Sequence, residues 1–277
     1  MNLLSQVIAA VEEEGRHLAA EFARPGGPRG AGGSAPVDRE IEERLRARLQ
    51  ALVPCAFGGE ETGVTPAPAG RDADPGRIWL VDPHDGTSDF LKGRRGTCIS
   101  VALFAGVGTS PGVVLGVIHS PNPPDRGPDT VAWAEGERAV LRNGAPVAWD
   151  LSRRRLAAGE TVWATASSAQ RPLTFARAAA PARHLAMPSI AYRLAKIAAG
   201  DGVATVSLHH VNEYDIAAGW ALVRAAGGVL LDADGNEITL EAKLERRLKG
   251  VFAGAPEAAH QLQRFDWSQL EKEPKKF

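Results

Sequence analysis

The chain has 277 residues, of which 44% are hydrophobic and 23% charged, and its formal net charge is −1. These values are typical of a globular protein that is large enough to bury a substantial core. A nearly neutral chain lacks the basic field that nucleic acid or an anionic membrane attracts, so we expect neither as a partner.

The N-terminal region carries Glu12, Glu13 and Glu14 where a signal peptide would need an apolar run. No apolar stretch approaches the roughly 20 residues that span a bilayer. Only two cysteines are present, Cys55 and Cys98, so a disulfide framework is not expected and both are predicted to be buried. These features predict a cytoplasmic protein.

The first predicted elements are two amphipathic helices, because apolar residues recur at helical spacing over residues 3–23 and 37–52. The Gly- and Pro-rich residues 24–34 between them predict a mobile surface loop. Asp38 stands at the start of the second helix, where a carboxylate can cap free N–H groups. Residues 56–59 predict a short strand that leads to Glu60, and residues 62–77 a long loop.

The next predicted strand ends in an acidic turn, Asp82-Pro83-His84-Asp85-Gly86-Thr87. Because Pro83 and Gly86 force the chain to turn, Asp82 and Asp85 are expected to face one small volume. Two carboxylates there repel each other unless a cation separates them, and hard divalent cations favour oxygen ligands. An ordinary acidic turn is the alternative for this segment alone, whereas an EF-hand loop is excluded because its glycine falls one position early.

The rest of the chain divides into two predicted halves. In residues 1–150, further strands at 98–104, 112–120, 131–135 and 139–142, with Asn143-Gly144 as a hairpin turn, predict a mostly antiparallel sheet. In residues 151–277, strands at 161–165, 204–208 and 229–231 alternate with helices at 189–199 and 215–226. That alternation predicts an α/β region.

Three segments carry a family resemblance: Gly59-Glu60-Glu61, the turn from Asp82 to Thr87, and Tyr214-Asp215-Ile216-Ala217-Ala218-Gly219. In order and spacing they are similar to the signatures of the inositol monophosphatase superfamily of magnesium-dependent, often lithium-sensitive phosphatases. The resemblance covers about residues 38–228. It implies an α/β (α+β) fold, the layered αβαβα sandwich of the inositol-monophosphatase and sugar-phosphatase type, together with phosphoric monoester hydrolase activity and a possible homodimer.

The resemblance also implies roles for individual residues. Two or three Mg²⁺ ions, with Mn²⁺ as a possible substitute, would be held by the residues Glu60, Asp82, Asp85, Asp215 and the main-chain carbonyl of His84. Thr87 and Glu60 would orient and deprotonate the attacking water, and Asp38 would hold Thr87. The substrate would be bound by Asp85, the backbone N–H groups of Gly86 and Thr87, and two serines in stretches that line the substrate in the family, Ser167 and Ser189.

The second half departs from the inositol monophosphatases near the expected substrate site, for example at Met187-Pro188-Ser189 and at Tyr214. We therefore expect the substrate to be a small phosphorylated polyol, sugar or inositol. Residues 87–92 resemble a pattern of 3′(2′),5′-bisphosphate nucleotidases, which gives an alternative activity. An alternative of another class is a non-catalytic protein that binds a phosphorylated ligand.

Three further features have two interpretations each. The side chain of Glu61 either joins the ligand shell or faces solvent. His209 and His210 are adjacent on a predicted strand and point to opposite faces, which favours a surface or substrate-rim role over metal ligation. The basic residues Lys92, Arg94 and Arg95 form either a solvated face or a patch that steers an anionic substrate.

Overall fold

The computed structural model describes residues 2–70, 73–106 and 112–275. Its helices are α1 Leu3–Phe22, α2 Pro36–Leu52, α3 Thr87–Phe90, α4 Pro172–Ala179, α5 Ile190–Ala198, α6 Glu213–Ala225, α7 Pro256–Gln263 and α8 Gln269–Lys272. Short 3₁₀ turns cover Leu151–Arg153 and Ala166–Gln170. Its strands are β1 Cys55–Gly59, β2 Gly63–Thr65, β3 Asp74–Asp85, β4 Cys98–Ala105, β5 Gly112–Ser120, β6 Asp129–Ala134, β7 Leu141–Arg142, β8 Ala145–Pro146, β9 Thr161–Ala164, β10 Arg183–Ala186, β11 Ala204–Asn212, β12 Val229–Leu231 and β13 Arg247–Gly254.

These strands form two sheets. The first has the order β2-β1-β3-β4-β5-β6-β7-β8 and is antiparallel except for the β1–β3 pair. The second has the order β10-β9-β11-β13-β12, in which β10, β9 and β11 run parallel and β13 runs antiparallel to its two neighbours. The carboxyl ends of β9, β10 and β11 therefore meet at one edge of the second sheet.

The sheets and helices stack in five layers. Helices α1 and α2 lie on one face of the first sheet, where their apolar stripes pack against the inward side chains of β3, β4 and β5. The other face packs against α5 and α6, which also contact the second sheet. Helices α4 and α7 pack on the strands of the second sheet. This arrangement confirms the predicted αβαβα sandwich.

Small residues bring the central helices close to the first sheet. A Cβ at Gly116 of β5 would lie 2.8 Å from the carbonyl oxygen of Ala218 in α6. A Cβ at Gly219 would overlap the side chain of Leu194 in α5. A side chain at either glycine would push these elements apart, so the two glycines allow α6 to pack closely against β5 and α5.

The predicted loop at residues 24–34 is tied to α1. The backbone N–H and the guanidinium group of Arg29 donate to the carboxylate of Glu21, which is buried, and Ala31 forms an isolated β-bridge with Ser34. The loop predicted at 62–77 contains β2 and the first residues of β3, while residues 71–72 lie outside the described part of the chain. The sequence reasoning missed α4, β10, β13 and α7.

The cysteines and the two predicted halves agree with the structure in part. Cys55 and Cys98 are free and buried, as expected. Strands β1–β8 of the first sheet end at Pro146 and those of the second begin at Thr161, but α5 and α6 of the second half lie between the sheets. A division into domains at residue 150 stays a prediction. In the described residues, no helix is long and apolar enough to cross a bilayer.

Candidate active site

Carboxylates from three distant segments meet where β1 and β3 end. The parallel pairing of these strands places Gly59 opposite Val81, so Glu60, which follows β1, lies beside Asp82. The backbone N–H of Glu60 donates to the carbonyl of Val81 at 3.2 Å. Asp85 ends β3, and Asp215 lies in the first turn of α6. The predicted ligand carboxylates are thus delivered by strand ends and a helix start.

In each of the three aspartates, one carboxylate oxygen accepts a hydrogen bond from a backbone N–H group. Asp82 Oδ1 accepts from His84 at 2.8 Å, Asp85 Oδ2 accepts from Ala191 at 2.7 Å, and Asp215 Oδ2 accepts from Asn212 at 2.7 Å. In the described residues, the second oxygen of each carboxylate accepts no hydrogen bond from a backbone N–H. Such anchoring fixes the side chains and leaves an oxygen available for a cation.

Burial and mutual proximity raise the pKa values of these carboxylates. Burial raises the pKa of Asp82 well above its usual range, and Glu60, Asp85 and Asp215 raise it further. Burial likewise raises the pKa of Asp85, and burial together with Asp85 and Glu60 raises that of Asp215. Loss of hydration, with Asp85, Glu61 and Asp38 nearby, raises the pKa of Glu60 to about 7. The four groups therefore sense one another's charge and are costly to ionise together.

The donor set fits a hard divalent cation. In the described residues, no lysine or arginine forms an ion pair with Glu60, Asp82, Asp85 or Asp215. The charges of Arg193 and Arg247 oppose the rise in pKa of Asp85 and Asp215, but both pKa values stay raised. In the same part of the chain, no three His, Cys, Asp or Glu side chains stand in a ready-made metal cage. The oxygen donors of these carboxylates are the kind that Mg²⁺ prefers.

Asp38 connects the second helix to the acidic turn. This buried carboxylate accepts a hydrogen bond from the backbone N–H of Ala35 at 3.2 Å, which caps α2. It also accepts one from the hydroxyl of Thr87 at 3.1 Å. The capping contact and the contact with Thr87 are therefore both present. No hydrogen bond joins Thr87 directly to Glu60 in the described residues; the Thr87 hydroxyl instead lies 2.9 Å from the carbonyl oxygen of His84.

The His84 side chain is buried in this network, although only its main chain entered the sequence prediction. Its Nδ1 lies 2.6 Å from Asp38 Oδ1, and its Nε2 lies 3.2 Å from Thr97 Oγ1. The ring stacks edge-on against Phe90. The imidazole thus gives Asp38 a buried partner in addition to Thr87.

Gly86 starts the four-residue helix α3 with a φ of 103°, a conformation that favours glycine. A Cβ at this position would also come within 2.9 Å of the Thr97 side chain. The first N–H groups of a helix have no partner within the helix, so the turn at Gly86 and Thr87 can offer donors to an anion.

The two serines predicted to bind substrate differ in their surroundings. Ser189 is buried; its hydroxyl donates to Asp85 Oδ2 at 2.6 Å and accepts from the Tyr192 N–H at 2.8 Å. It therefore caps α5 and supports a predicted metal ligand. Ser167 is exposed and lies in the 3₁₀ turn that follows β9. Substrate contact by either serine stays a prediction.

Sequence reasoning missed Glu42, which holds the turn after Glu60. This buried carboxylate accepts hydrogen bonds from the backbone N–H groups of Glu61 and Thr62, both at 2.8 Å. A Cβ at Gly59 would overlap the Glu42 carboxyl group. The position of Glu42 one helical turn after Asp38, on the same face of α2, was a signal that could have identified it.

The basic residues after the acidic turn and the adjacent histidines lie at the surface, whereas Glu61 lies near the carboxylates. Lys92 contacts Ser88 and Arg94 contacts Asp89, both at the surface. His209 and His210 are exposed. Burial, with Asp38 and Glu42 nearby, raises the pKa of Glu61, so this side chain lies close to the carboxylate cluster.

Comparison with known proteins gives a consistent result. The profile of the "Inositol monophosphatase family" matches residues 13–264. "Inositol-1-monophosphatase" of Rhizobium meliloti (strain 1021) is 30% identical over 262 residues, which cover 87% of this chain and 89% of that protein. "Fructose-1,6-bisphosphatase/inositol-1-monophosphatase" of Thermotoga maritima is 29% identical over 213 residues, which cover 75% and 74%.

Solved structures share the fold. Extragenic suppressor protein suhB from Bartonella henselae superposes with a TM-score of 0.73 at 22% identity, covering 95% of this chain and 97% of that chain. The 2′AMP-bound SaIMPase-II superposes with a TM-score of 0.71 at 17% identity, covering 98% of each. At these identities the likeness supports the architecture alone.

Proposed function

The chain belongs to the inositol monophosphatase family and is a phosphoric monoester hydrolase, and we propose that it hydrolyses a small phosphorylated polyol, sugar or inositol with the help of Mg²⁺. The observation that carries the proposal is the convergence of Glu60, Asp82, Asp85 and Asp215, whose charges raise one another's pKa. A pure binding site for a phosphorylated ligand would instead place cations against the anion.

The metal ligands in this proposal are Glu60, Asp82, Asp85, Asp215 and the His84 carbonyl. The bound ions would stabilise the charge that develops as the phosphoester breaks. The carbonyl of His84 accepts from the Thr87 hydroxyl and has a second lone pair with which it would bind an ion. We expect two or three Mg²⁺ ions, replaceable by Mn²⁺, to bind these oxygen donors.

Protein groups would activate the water and bind the phosphate. In this proposal Glu60 takes a proton from the attacking water. Thr87 is held by Asp38 and orients that water. The N–H groups at Gly86 and Thr87 bind phosphate oxygens at the start of α3.

The direct test is release of phosphate from an aryl phosphate by the purified protein, with Mg²⁺ and with a chelator. We expect turnover that requires Mg²⁺ or Mn²⁺. A screen of inositol 1-phosphate, fructose 1,6-bisphosphate and 3′-phosphoadenosine 5′-phosphate would then rank the substrate classes. A folded protein that binds these compounds but releases no phosphate under any metal condition would contradict catalysis and favour the non-catalytic phospho-ligand-binding alternative.

A bisphosphate nucleotidase is the second candidate. The sequence Thr87-Ser88-Asp89-Phe90-Leu91-Lys92 resembles the pattern of these enzymes, and a protein of the same fold binds 2′AMP. Faster turnover of 3′-phosphoadenosine 5′-phosphate than of the two sugar or inositol phosphates would favour this candidate. A homodimer, which the family resemblance also implies, is tested by light scattering of the same preparation.

A further inference from the structure

Helix α5 carries two cationic side chains that are almost completely buried, Arg193 and Lys196. The ammonium of Lys196 lies 2.8 Å from a carboxylate oxygen of Asp125 and 3.0 Å from one of Asp201, so its charge is paired. Within the described ranges of the chain, no carboxylate forms an ion pair with Arg193. A buried charge without a paired counter-charge is costly, so Arg193 needs another form of compensation.

Main-chain oxygens supply much of this compensation. Nε of Arg193 donates to the carbonyl of Ser189 at 3.1 Å, and Nη1 donates to the carbonyl of Val206 in β11 at 2.6 Å. Burial lowers the pKa of Arg193 to about 10, although the charge of Asp85 opposes this decrease, so the guanidinium stays charged at neutral pH. One charged side chain therefore links the start of α5 to β11.

The start of α5 is also where Asp85 is held. The hydroxyl of Ser189 and the backbone N–H of Ala191 both donate to Asp85 Oδ2, at 2.6 and 2.7 Å. The carbonyl of the same Ser189 accepts from the side chain of Arg193 at 3.1 Å and from its backbone N–H at 3.2 Å. Arg193 thus fixes the residue whose hydroxyl fixes Asp85.

The contact with Val206 relates this turn to a second predicted ligand. Strand β11 leads directly into α6, whose first turn contains Asp215. Arg193 therefore connects the turn that holds Asp85 to the strand that leads to Asp215. The outer partners of metal ligands matter because they set the orientation of the ligand oxygens.

We propose that Arg193 is a positioning residue, which orients the Asp85 carboxylate for Mg²⁺ by holding the first turn of α5 against β11. It acts through Ser189 and Ala191 and not on the reacting atoms. This inference rests on the metal-dependent function proposed above. It adds a residue that lies outside the three segments of the family resemblance.

The charge and the hydrogen bonds of Arg193 have opposite effects on Mg²⁺ affinity. A positive charge near the carboxylates repels a cation, so removing the charge alone would strengthen Mg²⁺ binding. Removing the hydrogen bonds releases the turn at Ser189 and weakens Mg²⁺ binding, because an outer partner is typically worth about 10- to 100-fold in metal affinity. The direction of the change therefore distinguishes positioning from a purely electrostatic effect.

The test measures Mg²⁺ binding to the full chain by calorimetry and by the rise in Tm. Arg193→Met removes both the charge and the donors, whereas Arg193→Lys keeps the charge but replaces the planar fork by a single nitrogen. We expect Mg²⁺ to bind about tenfold more weakly to Arg193→Met, and to a lesser degree more weakly to Arg193→Lys. Unchanged or tighter Mg²⁺ binding in these variants would overturn the assignment.

Lys196→Met is the matched control, because it removes the other buried cation of α5. The two carboxylates that pair with Lys196 each keep an arginine, Arg126 and Arg142, so the variant should fold. We expect a lower Tm but the Mg²⁺ affinity of the wild type. An equal loss of Mg²⁺ affinity in Lys196→Met would show that any damage to α5 has this effect, which would refute a specific role for Arg193.

A double-mutant cycle with Ser189→Ala tests the route of the effect. If Arg193 acts through Ser189, the loss of Mg²⁺ affinity in the double variant is smaller than the product of the two single losses. Losses that multiply independently would contradict this route. If Arg193→Met does not fold, Arg193→Lys takes its place in the same cycle.

These binding measurements also separate the inference from the proposed function. A wild type that binds Mg²⁺ but releases no phosphate contradicts the function alone. Wild-type Mg²⁺ affinity in the folded Arg193 variants contradicts the inference alone. A wild type that binds no Mg²⁺ contradicts both.

Discussion

His84 Nδ1 lies 2.6 Å from Asp38 Oδ1, although the two residues are 46 positions apart in the sequence. The other oxygen of Asp38 accepts from Thr87, so the imidazole and the threonine hydroxyl share one carboxylate. Because Asp38 is buried, each of these donors compensates part of its desolvation. The imidazole therefore helps to fix the acceptor that orients Thr87.

Replacing His84 tests this positioning role. We expect His84→Leu to lower kcat about 10- to 100-fold with little change in KM, because loss of a supporting hydrogen bond disorders Thr87 but leaves the phosphate-binding backbone intact. His84→Asn keeps an N–H near the position of Nδ1 and should retain most of the activity. Wild-type kcat in folded His84→Leu would show that the contact is only structural.

Asp85→Asn tests the carboxylate cluster. Support by an outer partner is typically worth 10- to 100-fold, so loss of a direct ligand should lower Mg²⁺-dependent phosphatase activity at least about a hundredfold. The fold should survive, because the amide oxygen can still accept from Ser189 and Ala191. Circular dichroism and Tm would establish this, and the increase in Tm on adding Mg²⁺ should shrink.

The matched control is Asp89→Asn, which removes a nearby carboxylate that pairs with Arg94. It should keep both activity and the Mg²⁺-dependent rise in Tm. Full activity of Asp85→Asn would contradict the assigned roles.

Gly59→Ala tests the packing of β1 against Glu42. The new Cβ would overlap the Glu42 carboxyl group, which holds the turn after Glu60. We expect a loss of about 1–3 kcal/mol in the free energy of unfolding, measured with urea, together with lower activity. Gly112→Ala is the control, since a Cβ there meets no atom within 4 Å. Equal stability of the two variants would rule out this role for Gly59.

Because His119 is buried, we predict that the free energy of unfolding decreases in acid. Burial lowers its pKa to about 4 despite the nearby acids Glu12 and Asp129, whereas an unfolded histidine titrates near 6.5. Between these pH values the unfolded chain binds the extra proton, so the free energy of unfolding falls as pH drops from about 6.5 towards 4. The pKa shift of His119 corresponds to a change of about 3 kcal/mol in the free energy of unfolding.

Urea unfolding at pH 7 and pH 4.5 measures this term. Between pH 7 and pH 4.5, the free energy of unfolding should fall by roughly 2–3 kcal/mol less in His119→Asn than in the wild type, because the variant lacks the titrating group. His17→Asn, at an exposed position of α1, should behave as the wild type does. An unchanged pH dependence in His119→Asn would show that His119 does not contribute.

Local sequence patterns made much of the fold predictable. The apolar periodicity predicted the bounds of α1, α2, β4 and β5 nearly to the residue. The acidic turn from Asp82 to Thr87 indicated the chemistry only together with the segments around Glu60 and Asp215. Strand β10 was missed because Arg183 and His184 give a short edge strand no apolar alternation. In β13, Gly250 interrupts the pattern with a φ of 74°.

What the sequence by itself determined is the kind of chemistry, since the carboxylates, the turn residues and their spacing lie within short stretches. Only the tertiary structure decided which groups support them: Glu42 against Gly59, the His84 ring on Asp38, and Ser189 on Asp85. These partners are set by how α2, β3 and α5 pack. Packing depends on the shapes of whole layers and leaves no periodic signal in the chain.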